Sequence, residues 1–170
     1  RGVKNIMYDM KVLKGPYKGI TIEVKTRKEP YTDFAIEFTQ FGTGPDGKRA
    51  NKYNPKTHKD EGREYRRLLD DLDDGDITKE EVIEKLSKNT AWIWKSKAEF
   101  ILYITPKSAD LINKHLLYEY IVENFFNLPE RFSNKSTGAY NKIIDKSKFK
   151  GYKDVTDIVD IDRYMRSWQR

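Results

Sequence analysis

The chain has 170 residues, of which 35% are charged and 13% aromatic, and its formal net charge is +6. An aromatic content this high argues against disorder and for one folded domain with a heavily charged surface. Cysteine is absent, which excludes disulfides, thiolate zinc sites and cysteine nucleophiles. Two histidines, His58 and His115, are too few for a histidine-rich metal centre, so any metal would be held mainly by oxygen. The 33 Lys and Arg against 27 Asp and Glu suit a protein that meets a polyanion, although a basic soluble protein without such a partner has the same balance. No run approaches the apolar length of a membrane span and no signal peptide is visible. The expected location is the cytoplasm, or the host-cell cytoplasm for a viral protein.

In chain order, 6–13 (IMYDMKVL) reads as a strand and Gly15-Pro16 as a turn. Residues 18–26 (KGITIEVKT) alternate apolar and polar side chains, a strong strand signal, and 33–39 (DFAIEFT) is a third strand. Three strands in succession predict an antiparallel meander. Residues 42–60 form an irregular basic loop rich in Gly, Pro, Asn and Lys. Helices are predicted at 61–72 and from Thr78, whose spacing to Glu81 is that of a capping box. The acidic stretch 70–81 approaches a calcium-loop pattern, but Leu72 stands where a ligand is needed, and a plain helix–turn–helix is the better reading. Segment 43–90 therefore reads as a helical insertion in a single domain spanning 1–170. Strand character resumes over 91–105, with Trp92 and Trp94 alternating. A helix follows at 107–126 with an apolar stripe from Leu111 to Phe125, then a loop, a short strand near 155–161 and a final helical turn.

Acidic and basic residues concentrate on the predicted strands. Period-two alternation puts Glu23 and Lys25 on one face while Ile22 and Val24 point the other way. Adjacent strands would bring Asp9, Glu23 and Glu37 together. Clustered carboxylates repel unless a cation sits among them, and hard Mg²⁺ or Mn²⁺ take such oxygen ligands. A divalent ion there would polarise a phosphate and activate a water, with a lysine nearby to orient it. Alone, Glu-x-Lys in a half-exposed strand is a common product of alternation; Asp9 one strand earlier makes the pattern more specific.

The run YDMKV followed by ITIEVKTR resembles the Asp then Glu-x-Lys signature of the PD-(D/E)XK nuclease superfamily. The blocks FAIEFTQFG and WKSKAEFILYI are similar to those of its phage- and RecB-like members, over about residues 5–40 and 90–105. The resemblance implies a restriction-endonuclease-like α/β fold, a mixed sheet with an antiparallel meander flanked by helices. It implies Asp9, Glu23 and the Val24 carbonyl as metal ligands for Mg²⁺ or Mn²⁺, and Lys25 as the catalytic lysine. Glu37 and Gln40 match accessory catalytic positions, and Lys95, Ser96 and Lys97 match a block that contacts phosphate. The sequence departs from the family at Tyr8, where the name motif has Pro, and at Glu99, where Asp is commoner. Many members also carry an acidic residue on a helix before the Asp strand, and only eight residues precede Asp9 here.

The basic loop adds Lys48, Arg49, Lys52 and Tyr53 as candidate nucleic-acid contacts, since cations neutralise phosphate and an aromatic ring stacks on a base; a solvated loop has the same composition. The expected activity is a Mg²⁺- or Mn²⁺-dependent deoxyribonuclease, endo- or exonucleolytic, with DNA favoured over RNA. The alternative is a non-catalytic nucleic-acid-binding or interaction protein that keeps the fold. The oligomeric state stays open, a homodimer being one arrangement.

Overall fold

The structure, a computed structural model, describes residues 9–40, 60–134 and 139–166. Along the chain run β1 (Met10–Lys11), β2 (Thr21–Thr26), β3 (Asp33–Glu37), α1 (Glu61–Asp73), α2 (Lys79–Leu86), α3 (Trp92–Lys95), β4 (Phe100–Ile104), β5 (Ala109–Asn113), α4 (Lys114–Asn124), β6 (Glu130–Asn134), β7 (Ala139–Asp145), β8 (Tyr152–Asp154) and α5 (Ile161–Met165). The fold is mixed α/β, with a five-stranded mixed sheet in the order β1-β2-β4-β5-β8 and a three-stranded antiparallel sheet in the order β3-β7-β6. The chain divides into two compact units, the first formed by Arg1–Phe34, Ser96–Glu123 and Asp145–Arg170, the second by Ala35–Lys95 and Asn124–Ile144. No helix among the described residues is long and apolar enough to cross a membrane.

The first unit is built on the five-stranded sheet. β2 lies antiparallel to β1 and parallel to β4, and β5 is antiparallel to both β4 and β8. One face is apolar: Leu102, Ile104 and Ala109 pack with Val155 and Met165, and Ile22, Val24 and Leu111 lie against them. The C-terminal helix α5, capped by Asp160, supplies Met165 to this layer. The opposite face carries two cross-strand rows fixed by register: Glu23, Ile101, Ile112 and Tyr152, then Lys25, Tyr103, Asp110 and Asp154. Phe34 closes part of this face, with edge-on rings to Tyr103 and Tyr152. It is fully buried, worth about 1.5–3 kcal/mol of apolar transfer.

The second unit centres on Phe38, whose ring stands edge-on to Tyr65 and Phe125. Tyr65 and Leu68 of α1 and Val82 and Leu86 of α2 are buried at helical spacing. Gly75 turns the chain between the helices at φ +79, a conformation that suits glycine. Thr78 and Glu81 make the reciprocal capping bonds that start α2. Segment 70–81 is thus a helix–turn–helix in which Glu81 serves the cap. Glu61 is fully buried, and its two carboxylate oxygens accept from Gln40 N–H at 2.8 Å and from Thr90 N–H at 2.7 Å.

Four expectations change. Residues 33–37 do form a strand, but β3 pairs in the second sheet, so the predicted three-strand meander is only the β1–β2 hairpin. The alternation Phe34, Ile36, Phe38 specifies a strand with a buried face and does not choose its partner. Residues 91–105 hold a helical turn at 92–95 before β4 rather than one strand. Residues 107–126 start as a strand: Thr105 N–H donates to the Ser108 carbonyl at 2.9 Å, and this turn folds β5 back on β4 before α4 begins. The short strand expected near 155–161 lies at Tyr152–Asp154, followed by a 3₁₀ turn and α5.

Candidate active site

Asp9 enters the first unit where β1 meets β2. Its N–H donates to the Ile22 carbonyl at 3.0 Å. Continuing the Met10–Ile22 pairing by one residue sets Asp9 opposite Glu23. Its carboxylate Oδ2 accepts from the Val24 N–H at 2.7 Å, a charge-assisted bond. Asp9 is therefore pinned to the peptide group between Glu23 and Lys25. Because the N–H and C=O of one strand residue point to the same side, the Val24 carbonyl also faces the edge that Asp9 occupies.

Glu23 and Lys25 share the face that the period of two assigns them. Lys25 Nζ lies 2.6 Å from Glu23 Oε1, and the side chains are 31% and 13% exposed, so the pair is open on the lysine side. Beyond Lys25, Arg27 continues the same face. Its guanidinium bonds Asp33 Oδ1 at 2.8 Å and lies 4.3 Å from the Tyr31 ring centre.

The other predicted residues have different positions. Glu37 and Gln40 belong to the second unit, where Gln40 Nε2 donates to the Thr90 carbonyl at 2.9 Å. Lys95 is exposed at the end of α3, in the second unit. Ser96 is buried and Lys97 exposed in the segment leading to β4. That segment is tied to β2 by Glu99 N–H donating to the Thr21 carbonyl at 3.0 Å. Lys48, Arg49, Lys52 and Tyr53 lie outside the described residues. Among the described residues no group of three or more His, Asp or Glu side chains is gathered as a metal site.

Two features of this face escape the sequence reading. Lys114, the first residue of α4, is half-buried, and its Nζ donates to the Ser96 carbonyl at 2.6 Å. Burial pushes its ammonium below the ordinary lysine value, while the charge of Glu23 opposes that shift. Asp110, in the row of Lys25, is 2% exposed and paired with Lys146 at 2.5 Å. Burial raises the Asp110 pKa, and Asp154 adds to the rise while Lys146 lowers it. The alternation of 110, 112 and 114 would have put these side chains on the Glu23 face, had the segment been read as a strand.

No family model matches the chain, and no curated protein or solved structure matches it.

Proposed function

We propose that the protein is a Mg²⁺- or Mn²⁺-dependent phosphodiester hydrolase acting on DNA, with a PD-(D/E)XK site on a restriction-endonuclease-like fold. The observation that carries this reading is the bond from Val24 N–H to Asp9, which sets a second carboxylate against the Glu23-Val24-Lys25 segment. The donors are two carboxylates and the Val24 carbonyl, all hard oxygens, which fits a divalent cation of this class. When bound, such a cation supplies Lewis-acid polarisation of the phosphate and a lowered pKa for a coordinated water.

The chain's own residues have distinct roles in this reading. Asp9 and Glu23 would hold the cation with the Val24 carbonyl. The Val24 N–H fixes the Asp9 carboxylate, so the ligand is oriented before substrate arrives. Lys25 gives up Glu23 and turns its ammonium to the attacking water, orienting it for in-line attack and stabilising charge that develops on the phosphate.

The test is cleavage of plasmid and single-stranded DNA in Mg²⁺ and in Mn²⁺. Asp9→Ala and Lys25→Ala are each expected to lower kcat by at least roughly 10²-fold, the range for loss of one positioned acid–base or electrostatic group. Equal cutting by all three proteins sinks the site. A second reading, nucleic-acid binding without cleavage, draws on the ion pair of Lys25 with Glu23, in which a lysine already neutralises the acid. DNA binding by the wild type with no cutting in either metal would select it.

A further inference from the structure

Lys114 has a charge problem that its position in the fold does not solve. Half-buried ammonium groups need a nearby anion or several good acceptors. Its Nζ is held by the Ser96 backbone carbonyl at 2.6 Å, a neutral acceptor. The acid whose charge favours its ionised form is Glu23, and Glu23 is itself 2.6 Å from Lys25. Two lysines thus draw on one glutamate. With Asp9, these four side chains sum to zero, so a divalent cation taken up by the two acids would leave this group of four with a local charge of +2, reduced across the whole face because Asp110, Asp154 and Asp33 outnumber Arg27 and Lys146. That excess attracts an anion.

The surroundings of Lys114 suit one. An open depression is lined by Ser96, Lys97, Glu99, Asn113, Lys114 and Tyr118, with His115 beside them; the exposed Glu99 is the one acid there, against the two lysines. Lys97 and His115 are exposed on its rim, and Tyr118 contributes an aromatic ring. Asn113 Oδ1 accepts from Leu116 N–H at 3.0 Å, and Lys114 N–H donates to the Glu99 carbonyl at 3.1 Å, so the backbone under the amine is fixed on both sides.

We propose that Lys114 is a phosphate-binding residue, which turns from the Ser96 carbonyl to a backbone phosphate of a DNA strand lying in this depression. This deepens the nuclease reading and rests on its choice of the Glu23 face as the nucleic-acid face. Lys114 lies outside the Asp and Glu-x-Lys pattern and contributes binding rather than water activation.

The test is fluorescence anisotropy of a labelled single-stranded DNA oligonucleotide in Ca²⁺, with gels to verify that the probe stays intact, over a range of KCl. One lost phosphate contact on a single strand lowers the slope of log K against log salt by about 0.7. Lys114→Gln is expected to bind more weakly and to show that drop, and Lys114→Arg to keep the wild-type slope. In a cleavage assay Lys114→Gln should raise KM more than it lowers kcat. Should Lys114→Gln fail to fold, the side-chain amine signal of Lys114 in isotope-labelled wild type must shift when the oligonucleotide is added. An unchanged slope in Lys114→Gln, an unmoved amine signal, or a wild type that binds no DNA overturns the proposal. Failure is separable from that of the nuclease reading. Cleavage that depends on Asp9 and Lys25 with an unchanged Lys114→Gln slope sinks this inference alone. A reduced slope without cleavage in Mg²⁺ or Mn²⁺ sinks only the nuclease reading.

Discussion

The two units solve the same packing problem in opposite ways. Each gathers aromatic rings around one phenylalanine of the 33–39 segment and lays a lysine over them. In the first unit Lys146 Nζ is 4.8 Å from the Phe34 ring centre and pairs with Asp110. In the second, Lys142 Nζ is 4.1 Å from the Phe125 ring centre and pairs with Glu130 at 2.6 Å. The difference lies in which partner is hidden. The Asp110 side chain is 3% exposed and its lysine 17%, whereas Lys142 is 3% exposed and its glutamate 32%. A buried ion pair adds little net stability against an apolar substitute, but losing one partner strands the other charge. The damaging substitution should therefore be the lysine in one unit and the acid in the other.

The largest effect is expected from Lys146→Ala. It leaves the Asp110 carboxylate hidden without its cation, a loss of about 3–5 kcal/mol for a stranded buried charge. Urea unfolding would measure it. Asp110→Ala leaves a lysine that can reach water and should cost clearly less. Because Asp110 shares a sheet row with Lys25, the proposed nuclease reading also predicts lower cleavage per folded molecule in Lys146→Ala. In the second unit the order reverses. Glu130→Ala strands Lys142, with a cost toward the lower end of that range, since the Phe125 ring still holds the ammonium by a cation–π contact worth about 0.5–2 kcal/mol. Lys142→Met, similar in volume, should cost least of the four. If both acids or both lysines prove the sensitive members, the comparison fails.

These pairs also mark how far the sequence could be read. The shared face of Glu23 and Lys25 was legible because strand alternation alone decides which side chains lie together, and the two form an ion pair, while Asp9 bonds the Val24 N–H between them. The helices at 61–73 and 79–86 were legible from apolar spacing and the Thr78–Glu81 box. The partner of β3 was not legible, because strand pairing is a non-local choice made by packing around Phe34 and Phe38. Residues 109–113 were read as helix because a short apolar run carries no decisive period. That single misreading hid Asp110 and Lys114, whose burial follows from β5 lying beside β4. The signal that would have found them is Asn113, a capping residue that starts α4 after a strand.

A smaller effect is expected in the pH dependence of stability, where the two units should again oppose each other. Burial and Asp154 raise the Asp110 pKa above the ordinary 3.8. The folded form then holds its proton longer than the unfolded chain, so this contribution is complete below 3.8 and is lost as pH rises through the folded value. Burial lowers the Lys142 pKa below the ordinary 10.5, against Glu130, which raises it. Its contribution is complete above 10.5 and is lost as pH falls through the folded value. Asp110→Asn should remove a falling slope of stability on the acid side, and Lys142→Met a rising slope on the alkaline side. Unfolding free energies measured across both ranges check this, and slopes of the same sign would break the comparison.

The smallest expected effect comes from Tyr65→Phe. The Tyr65 hydroxyl donates to the same Glu130 oxygen that receives Lys142. Burial, with Glu130 next, pushes the phenol well above its ordinary range, so the hydroxyl stays a neutral donor at any working pH. Removing it takes away one hydrogen bond to a carboxylate that keeps its cation and reaches water, a loss of roughly 1 kcal/mol. Glu130→Ala removes the charge as well. The ratio of the two costs therefore separates hydrogen bonding from ion pairing in the second unit. If Tyr65→Phe proves as costly as Glu130→Ala, the hydroxyl rather than the buried ammonium dictates this cluster, and the mirrored logic of the two units does not hold.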